Sequence, residues 1–248
     1  MKQHKEAGGG EAMKKITFTG NSWTAPWDGI DMPPDLLKKH PLVGEIEVVN
    51  LAQGGAGPGS LNLYQDKATG QEIQVVNGIQ QSEMVPEDSD VIIDRLNGNA
   101  LIAVAIDGLE YELGGTTIEL SAATQAFKAS YGNDFDGLLP ATLAHAFDHD
   151  ARIRLENYRR RAPQAKVVFV SDWNLGYAPL AKDYLSNASS ASIKFDAQTR
   201  IFANNNGCDF ISLMGLSYIG YNDFLSDGIH GKQSLQDKTL AAIFEGLI

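Results

Sequence analysis

The chain is poor in cysteine and in positive charge, and it has no long apolar run. Its 248 residues include one cysteine, Cys208, so no internal disulfide can form. Cys208 stands just before an apolar strand pattern and reads as a small packing residue rather than a nucleophile. Lys and Arg number 20 against 31 Asp and Glu, a formal net charge of −11. An acidic chain with no basic stretch to offset it repels a phosphate backbone, so nucleic acid is not expected as a partner. The one dense basic run, Arg159-Arg160-Arg161, falls at the end of an expected helix, where it complements the helix dipole. No apolar run reaches the ~20 residues of a membrane span. The opening residues, polar and Gly-rich, lack the apolar core of a signal peptide. A soluble protein, cytoplasmic or phage-borne, is the expectation, with a disordered tail over 1–13 and one domain over 14–248. Composition does not reveal the oligomeric state.

Apolar runs that end abruptly in polar or glycine residues are what the chain does have. Ile16–Thr19 ends at Gly20, and Glu45–Val49 ends at Asn50 and a glycine-rich stretch. Val91–Ile93 ends near Asn97-Gly98-Asn99, and Val167–Val170 ends at Ser171-Asp172-Trp173. Phe210–Leu213 is a weaker fifth run. Short runs apolar throughout suit strands buried on both faces. Helical patterns fall around them at Pro34–His40, Ala141–Arg161, Thr199–Asn205 and Leu235–Leu247. Alternation of the two implies a parallel sheet with helices on both faces, whose sites form at the carboxyl ends of the strands. The stretch 101–140 breaks the rhythm with a hairpin-like pair around Gly114-Gly115, and reads as an insertion able to overhang the site.

Several residues at those strand ends can carry chemistry. Ser22 follows a strand and a glycine, a turn that exposes a hydroxyl and aims backbone N–H groups at the same space. It also suits an ordinary turn or helix cap. Asp227 stands three residues before His230, so the carboxylate can hold one imidazole nitrogen while the other faces a serine hydroxyl. Gly54-Gly55-Ala56-Gly57-Pro58-Gly59 fits neither nucleotide-binding pattern. A glycine there can bring an N–H to a reacting oxyanion, or simply make a tight turn. Asn97 and Asn99 can donate side-chain amides to an oxyanion or substrate, or belong to a turn. Trp23, Trp173 and Asn174 lie at or near strand ends, where an aromatic platform can hold a sugar ring or an acyl chain; core packing explains both Trp equally well. His145 and His149, four apart on a helix, have metal-ligand spacing but neither an adjacent glutamate nor an obvious third ligand, and read as a solvated face. No metal is expected.

Set in order, these clusters resemble the sequence blocks of the SGNH hydrolases, also called the GDSL lipase/esterase family. Gly20-Asn21-Ser22-Trp23 resembles the first block, and Val48 to Gly55 the second. Val91 to Ala100 resembles the third, and Asp227-Gly228-Ile229-His230 the last. Two departures stand out: Asn21 where the family usually has Asp, and Asn97-Gly98-Asn99-Ala100 where it usually has Gly-x-Asn-Asp. Tyr131-Gly132-Asn133-Asp134 superficially resembles the latter but follows no strand. The resemblance implies an α/β fold, a flavodoxin-like three-layer α/β/α sandwich around a five-stranded parallel sheet. It implies Ser22 as nucleophile, His230 as base and Asp227 as its orienting acid. The oxyanion hole would comprise the N–H groups of Ser22 and Gly55 and the side chain of Asn99. It implies ester hydrolysis without a cofactor. The substrate expectation is a small-molecule or carbohydrate ester carrying a small acyl group, acetyl above all. Longer acyl esters or thioesters, and a catalytically silent binding domain, are the alternatives.

Overall fold

The computed structural model describes residues 15–41, 46–59, 64–66, 76–96, 110–113, 116–120, 141–174, 185–216, 220–226, 228 and 230–247. Five strands form an all-parallel sheet: β1 (Lys15–Gly20), β2 (Glu47–Asn50), β4 (Val91–Arg95), β7 (Lys166–Val170) and β8 (Asp209–Ile211), in the order β2-β1-β4-β7-β8. The intervening β3 (Tyr64–Asp66), β5 (Glu110–Leu113) and β6 (Thr116–Leu120) make a separate antiparallel sheet, β3-β6-β5. The expected hairpin is thus present as β5 and β6, which pair from Leu113↔Thr116 to Glu110↔Glu119. β3 adds a third strand that no sequence pattern announced.

The sheet's central strands are buried on both sides, as their unbroken apolar runs require. Ile16, Phe18, Ile92, Ile93, Val168 and Phe169 are all at most 2% exposed. The two threonines of β1 keep their hydroxyls paired, Thr17 with Ser89 at 2.8 Å and Thr19 with Tyr158 at 2.9 Å. The register Gly20↔Arg95, with Phe18↔Asn50 alongside, brings the carboxyl ends of β1, β2 and β4 together on one edge.

Helices α2 (Gly78–Glu83), α3 (Ala141–Arg161) and α4 (Leu185–Asn205) pack in succession as one layer, while α1 (Pro33–Lys39) and α5 (Gln233–Leu247) pack on each other as the second. This is the expected three-layer α/β/α architecture, and the strand order is the flavodoxin-like one. Two helical readings fell short. α4 begins at Leu185, well before the expected Thr199, because its first turns are rich in serine and asparagine, weak helix formers. α2 was not expected at all. Asn77 nonetheless accepts from Gln80 N–H at 3.0 Å while the Gln80 side chain accepts from Asn77 N–H at 3.0 Å, a capping box legible as Asn-x-x-Gln. The basic end of α3 does more than face a dipole: Arg161 Nε donates to Val85 O at 3.1 Å, tying the helix to the approach to β4. Among the described residues, no helix is long and apolar enough to cross a membrane.

Candidate active site

β1 ends at Gly20 and the chain turns at once. The Asn21 carbonyl accepts from Thr24 N–H (2.9 Å) and Ala25 N–H (2.8 Å), and the Asn21 side-chain oxygen accepts from Trp23 N–H at 2.9 Å. Ser22 therefore stands in the first turn of a short helical bend, where N–H groups face outward unpaired. Asn21 does this with an amide oxygen, the one atom of an aspartate that the turn would need. Its Nδ2, buried, finds no partner among the described residues. Gly20 must be glycine on steric grounds: a Cβ there would lie 2.8 Å from Thr24 Cβ and 3.2 Å from Arg95 O.

The Ser22 hydroxyl lies 2.8 Å from His230 Nε2, across 208 positions of sequence. Both residues are buried, at 6% and 8% exposure. His230 is held from its backbone: its carbonyl accepts from Leu225 N–H at 2.7 Å, and Gly228 takes the left-handed conformation (φ 72°) that lets its own N–H return to Leu225 O at 2.9 Å. Asp223 anchors the same loop, accepting from Gly220 N–H (2.9 Å), Ser234 Oγ (2.7 Å) and Lys238 Nζ (2.9 Å). Burial raises the Asp223 carboxyl, but these donors outweigh it and hold the group below its ordinary value.

The loop after β2 closes the other side. Asn50 Nδ2 donates to Thr24 O at 3.0 Å, and Gln53 N–H donates to Gly20 O at 3.2 Å. A Cβ on Gly54 would sit 3.8 Å from Ser22 Cβ, so this glycine lies directly beside the nucleophile turn. Gly55 follows in the left-handed conformation at φ 82°. Among the described residues, neither Ser22 N–H nor Gly55 N–H has an acceptor. Such a pair of donors can receive charge on a reacting oxygen.

Two buried ion pairs brace these turns. Asp94 accepts from Arg154 Nε at 2.8 Å and from the Tyr158 hydroxyl at 2.9 Å, while Arg154 Nη1 donates to Pro58 O at 2.7 Å. The glycine-rich loop is thereby pinned to α3. It also meets α2, where Gly78 N–H donates to Gly57 O at 2.8 Å. Arg95 makes the second pair. Its Nε donates to Asp172 Oδ1 at 3.1 Å, its Nη1 donates to Trp23 O at 2.8 Å, and its guanidinium lies 4.3 Å from the Trp173 ring centre. Burial pushes Asp172 up to about 7, against the opposing pull of Arg95. Burial also pulls Arg95 down, although Asp172 resists it.

From the sequence-derived set the structure brings Ser22 and His230 into contact, and Gly55 follows the Gly54 that lies beside Ser22. Asp227, Asn97 and Asn99 lie outside the described residues, as does Tyr131–Asp134. Trp23 and Trp173 do not form a surface platform: they are 1% and 0% exposed, and their rings stack on each other 5.0 Å apart beneath the site. Packing against Arg95 and the core withdraws both faces from solvent. Asn174 is half-buried at the end of the β7 segment. Cys208 is half-buried, as expected of a packing residue, and burial raises its thiol. His149 is exposed on α3, and no group of His, Cys, Asp and Glu suited to a metal occurs among the described residues.

Four residues were missed from sequence: Trp27, Gln81, Arg95 and Arg154. Trp27 stacks on the imidazole of His230, ring centres 4.4 Å apart. Gln81 follows the overlooked capping box. Arg95 stands beside Asp94 at the end of an apolar run, and an adjacent charge pair there is the signal by which it could have been found.

The chain has the α/β/α fold of the GDSL-like hydrolases. It aligns with an extracellular lipase from Streptomyces rimosus at 16% identity over 94% of this chain and 99% of the other (TM-score 0.54). A carbohydrate acetylesterase family member from Sinorhizobium meliloti aligns at 17% identity over 95% of each chain (TM-score 0.53). A GDSL-like lipase from Bacteroides thetaiotaomicron aligns at 14% identity over 94% of this chain and 87% of the other (TM-score 0.51). No family model and no curated protein sequence matches the chain.

Proposed function

We propose that the chain is a serine ester hydrolase that removes small acyl groups, acetyl above all, from a carbohydrate or similar ester. The observation that carries this reading is the 2.8 Å contact between Ser22 Oγ and His230 Nε2, with the backbone N–H groups of Ser22 and Gly55 finding no acceptor among the described residues. Ser22 attacks the ester carbonyl as His230 takes its proton. The negative charge on the former carbonyl oxygen falls to Ser22 N–H and Gly55 N–H, with the Asn99 amide as third donor. His230 passes its proton to the leaving alcohol, and the acyl group stays on Ser22. Water then attacks the acyl-enzyme with His230 again as base, releasing the acid and free Ser22. Asp227 orients His230 and balances the imidazolium. The sequence blocks support both the Asp227 and the Asn99 roles.

The small-acyl preference is supported by the closed setting of the dyad and by a net charge of −11, which gives an anionic membrane surface no attraction. The test is hydrolysis of p-nitrophenyl acetate, butyrate and octanoate by the wild type and by Ser22→Ala. Turnover that vanishes in the variant establishes the serine mechanism, and falling rates from acetate to octanoate establish the small-acyl preference. A profile rising toward octanoate points instead to a lipase or thioesterase. Equal background rates in both proteins, with no labelling of Ser22 by a fluorophosphonate, point to a silent binding domain.

A further inference from the structure

The alcohol half of an ester must approach His230, because its oxygen receives the proton that Nε2 carries. That oxygen comes within about 3 Å of Nε2. Whatever borders the imidazole therefore meets the first atoms of the alcohol. Among the described residues the aromatic group that borders it is Trp27, whose ring centre lies 4.4 Å from that of His230 at an angle of 34°.

Trp27 differs from the other two tryptophans in being only half-buried, with Pro26, Asp28 and Gly29 around it exposed. Its position is nevertheless rigid. Ile30 N–H donates to Trp27 O at 3.2 Å, and Gly29 takes φ 73°, so residues 27–30 form a tight turn that needs glycine at its third position. Immediately after it, Asp31 is clamped to the start of α5: Asp31 N–H donates to Gln233 Oε1 at 2.9 Å, and Gln233 Nε2 donates to Asp31 O at 3.1 Å. Gln233 lies three positions beyond His230. The turn that carries the indole and the loop that carries the imidazole are thus fastened to each other.

We propose that Trp27 is the platform for the leaving alcohol, and that the site selects esters whose alcohol carries a ring, a pyranose or an aryl group, over esters of small aliphatic alcohols. This rests on the hydrolase reading above and extends it to the alcohol side. A rigid, partly exposed indole offers a broad apolar surface at little cost in conformational entropy, and aromatic walls with a few polar groups are how pockets hold flat ligands. The exposed Asp28 beside it supplies a carboxylate within the same turn for hydroxyls at the rim.

The experiment compares acetate esters that share an acyl group and differ in the alcohol: a mono-O-acetylated methyl glucoside, benzyl acetate and ethyl acetate. The measured quantity is the ratio of kcat/KM for each ring ester to that for ethyl acetate, in the wild type, Trp27→Ala and Trp27→Phe. Intrinsic ester reactivity cancels when the ratio is compared between proteins. The expected result is a ratio lowered by about tenfold or more in Trp27→Ala, carried mainly by KM, and largely restored in Trp27→Phe. Should Trp27→Ala fail to fold, Trp27→Leu and Trp27→Phe make the same comparison. An unchanged ratio, with all three esters slowed alike, overturns the platform and leaves Trp27 as a buttress for His230. A wild type that turns over none of the acetate esters removes the small-acyl hydrolase reading, and the platform falls with it.

Discussion

The side-chain amide of Gln81 closes on the backbone of Gly20 much as a neighbouring strand would. Gly20 N–H donates to Gln81 Oε1 at 2.9 Å, and Gln81 Nε2 donates back to Gly20 O at 3.0 Å and also to Val76 O at 3.0 Å. Gly20 is the last residue of β1 and stands two positions before Ser22, so this amide sets the direction in which the nucleophile turn leaves the sheet. Gln81 is itself fully buried, which strengthens each of these bonds and makes each costly to leave unmade.

Replacing Gln81 by Leu keeps the volume and removes all three bonds. The buried Gly20 N–H then has no acceptor, and a loss of about 2–3 kcal/mol in unfolding free energy is expected. Urea denaturation measures it. Ester turnover by the folded variant should fall in kcat more than in KM, since the nucleophile is misplaced while the substrate pocket is not.

Gly55 requires a positive φ of 82°, which a side chain resists. Gly55→Ala should lose about 1–2 kcal/mol of stability from backbone strain. Alanine keeps the N–H, so kcat should fall as far as the strained backbone turns that donor away from the oxyanion, up to roughly 10²–10³ for its complete loss, with little change in KM. Gly207→Ala, at φ 63° with nothing within 4 Å of the added Cβ, is the control for strain alone at a turn away from the site. Thermal melts and steady-state kinetics on both variants separate the two effects.

Arg154→Met leaves Asp94 buried at 0% exposure without its cation. The expected cost is about 3–5 kcal/mol, because a single charge remains in a low-dielectric interior. Pro58 O loses its donor at the same time, so the glycine-rich loop should open. Faster amide hydrogen exchange across 53–59 checks the second consequence.

Asp172 gives a pH signature. Burial raises its carboxyl from 3.8 to about 7, so between those values the folded protein binds a proton that the unfolded chain does not. The stability this contributes is complete below about 3.8 and is lost as pH rises through about 7. Asp172→Asn removes the titration while keeping an acceptor for Arg95 Nε. The variant should therefore gain on the wild type as pH rises from 4 to 8, by on the order of 2–4 kcal/mol in unfolding free energy. Denaturation midpoints across that range measure it, and a constant difference at every pH would contradict it.

Much of the fold was legible because burial on both faces of a parallel sheet imposes local composition. β1, β4 and β7 read directly from apolar runs, and each ended within about two residues of its expected end. α3 matched its expected limits because one long amphipathic pattern outweighs weak individual propensities. Ser22, Gly55 and His230 were legible for a different reason: each sits where a strand or turn breaks off, and the order of the blocks added specificity that no single block has.

What local sequence cannot express is which distant segments meet. The antiparallel β3 depends on a pairing between Tyr64 and Leu120. The order β2-β1-β4-β7-β8, which sets Gly20 beside Arg95, depends on crossover connections, not on the composition of either strand. Three identical residues show the same limit. Trp23, Trp27 and Trp173 are indistinguishable as letters, and the first and last were the natural choices for an exposed platform. Packing around Arg95 buried those two, while a tight turn and the Asp31–Gln233 clamp left Trp27 half open against His230. Local composition was enough to set the layers, the parallel strands and the chemistry available at their ends. Tertiary structure decided which side chains face the reacting atoms, because burial and charge pairing are properties of neighbours brought together only by the fold.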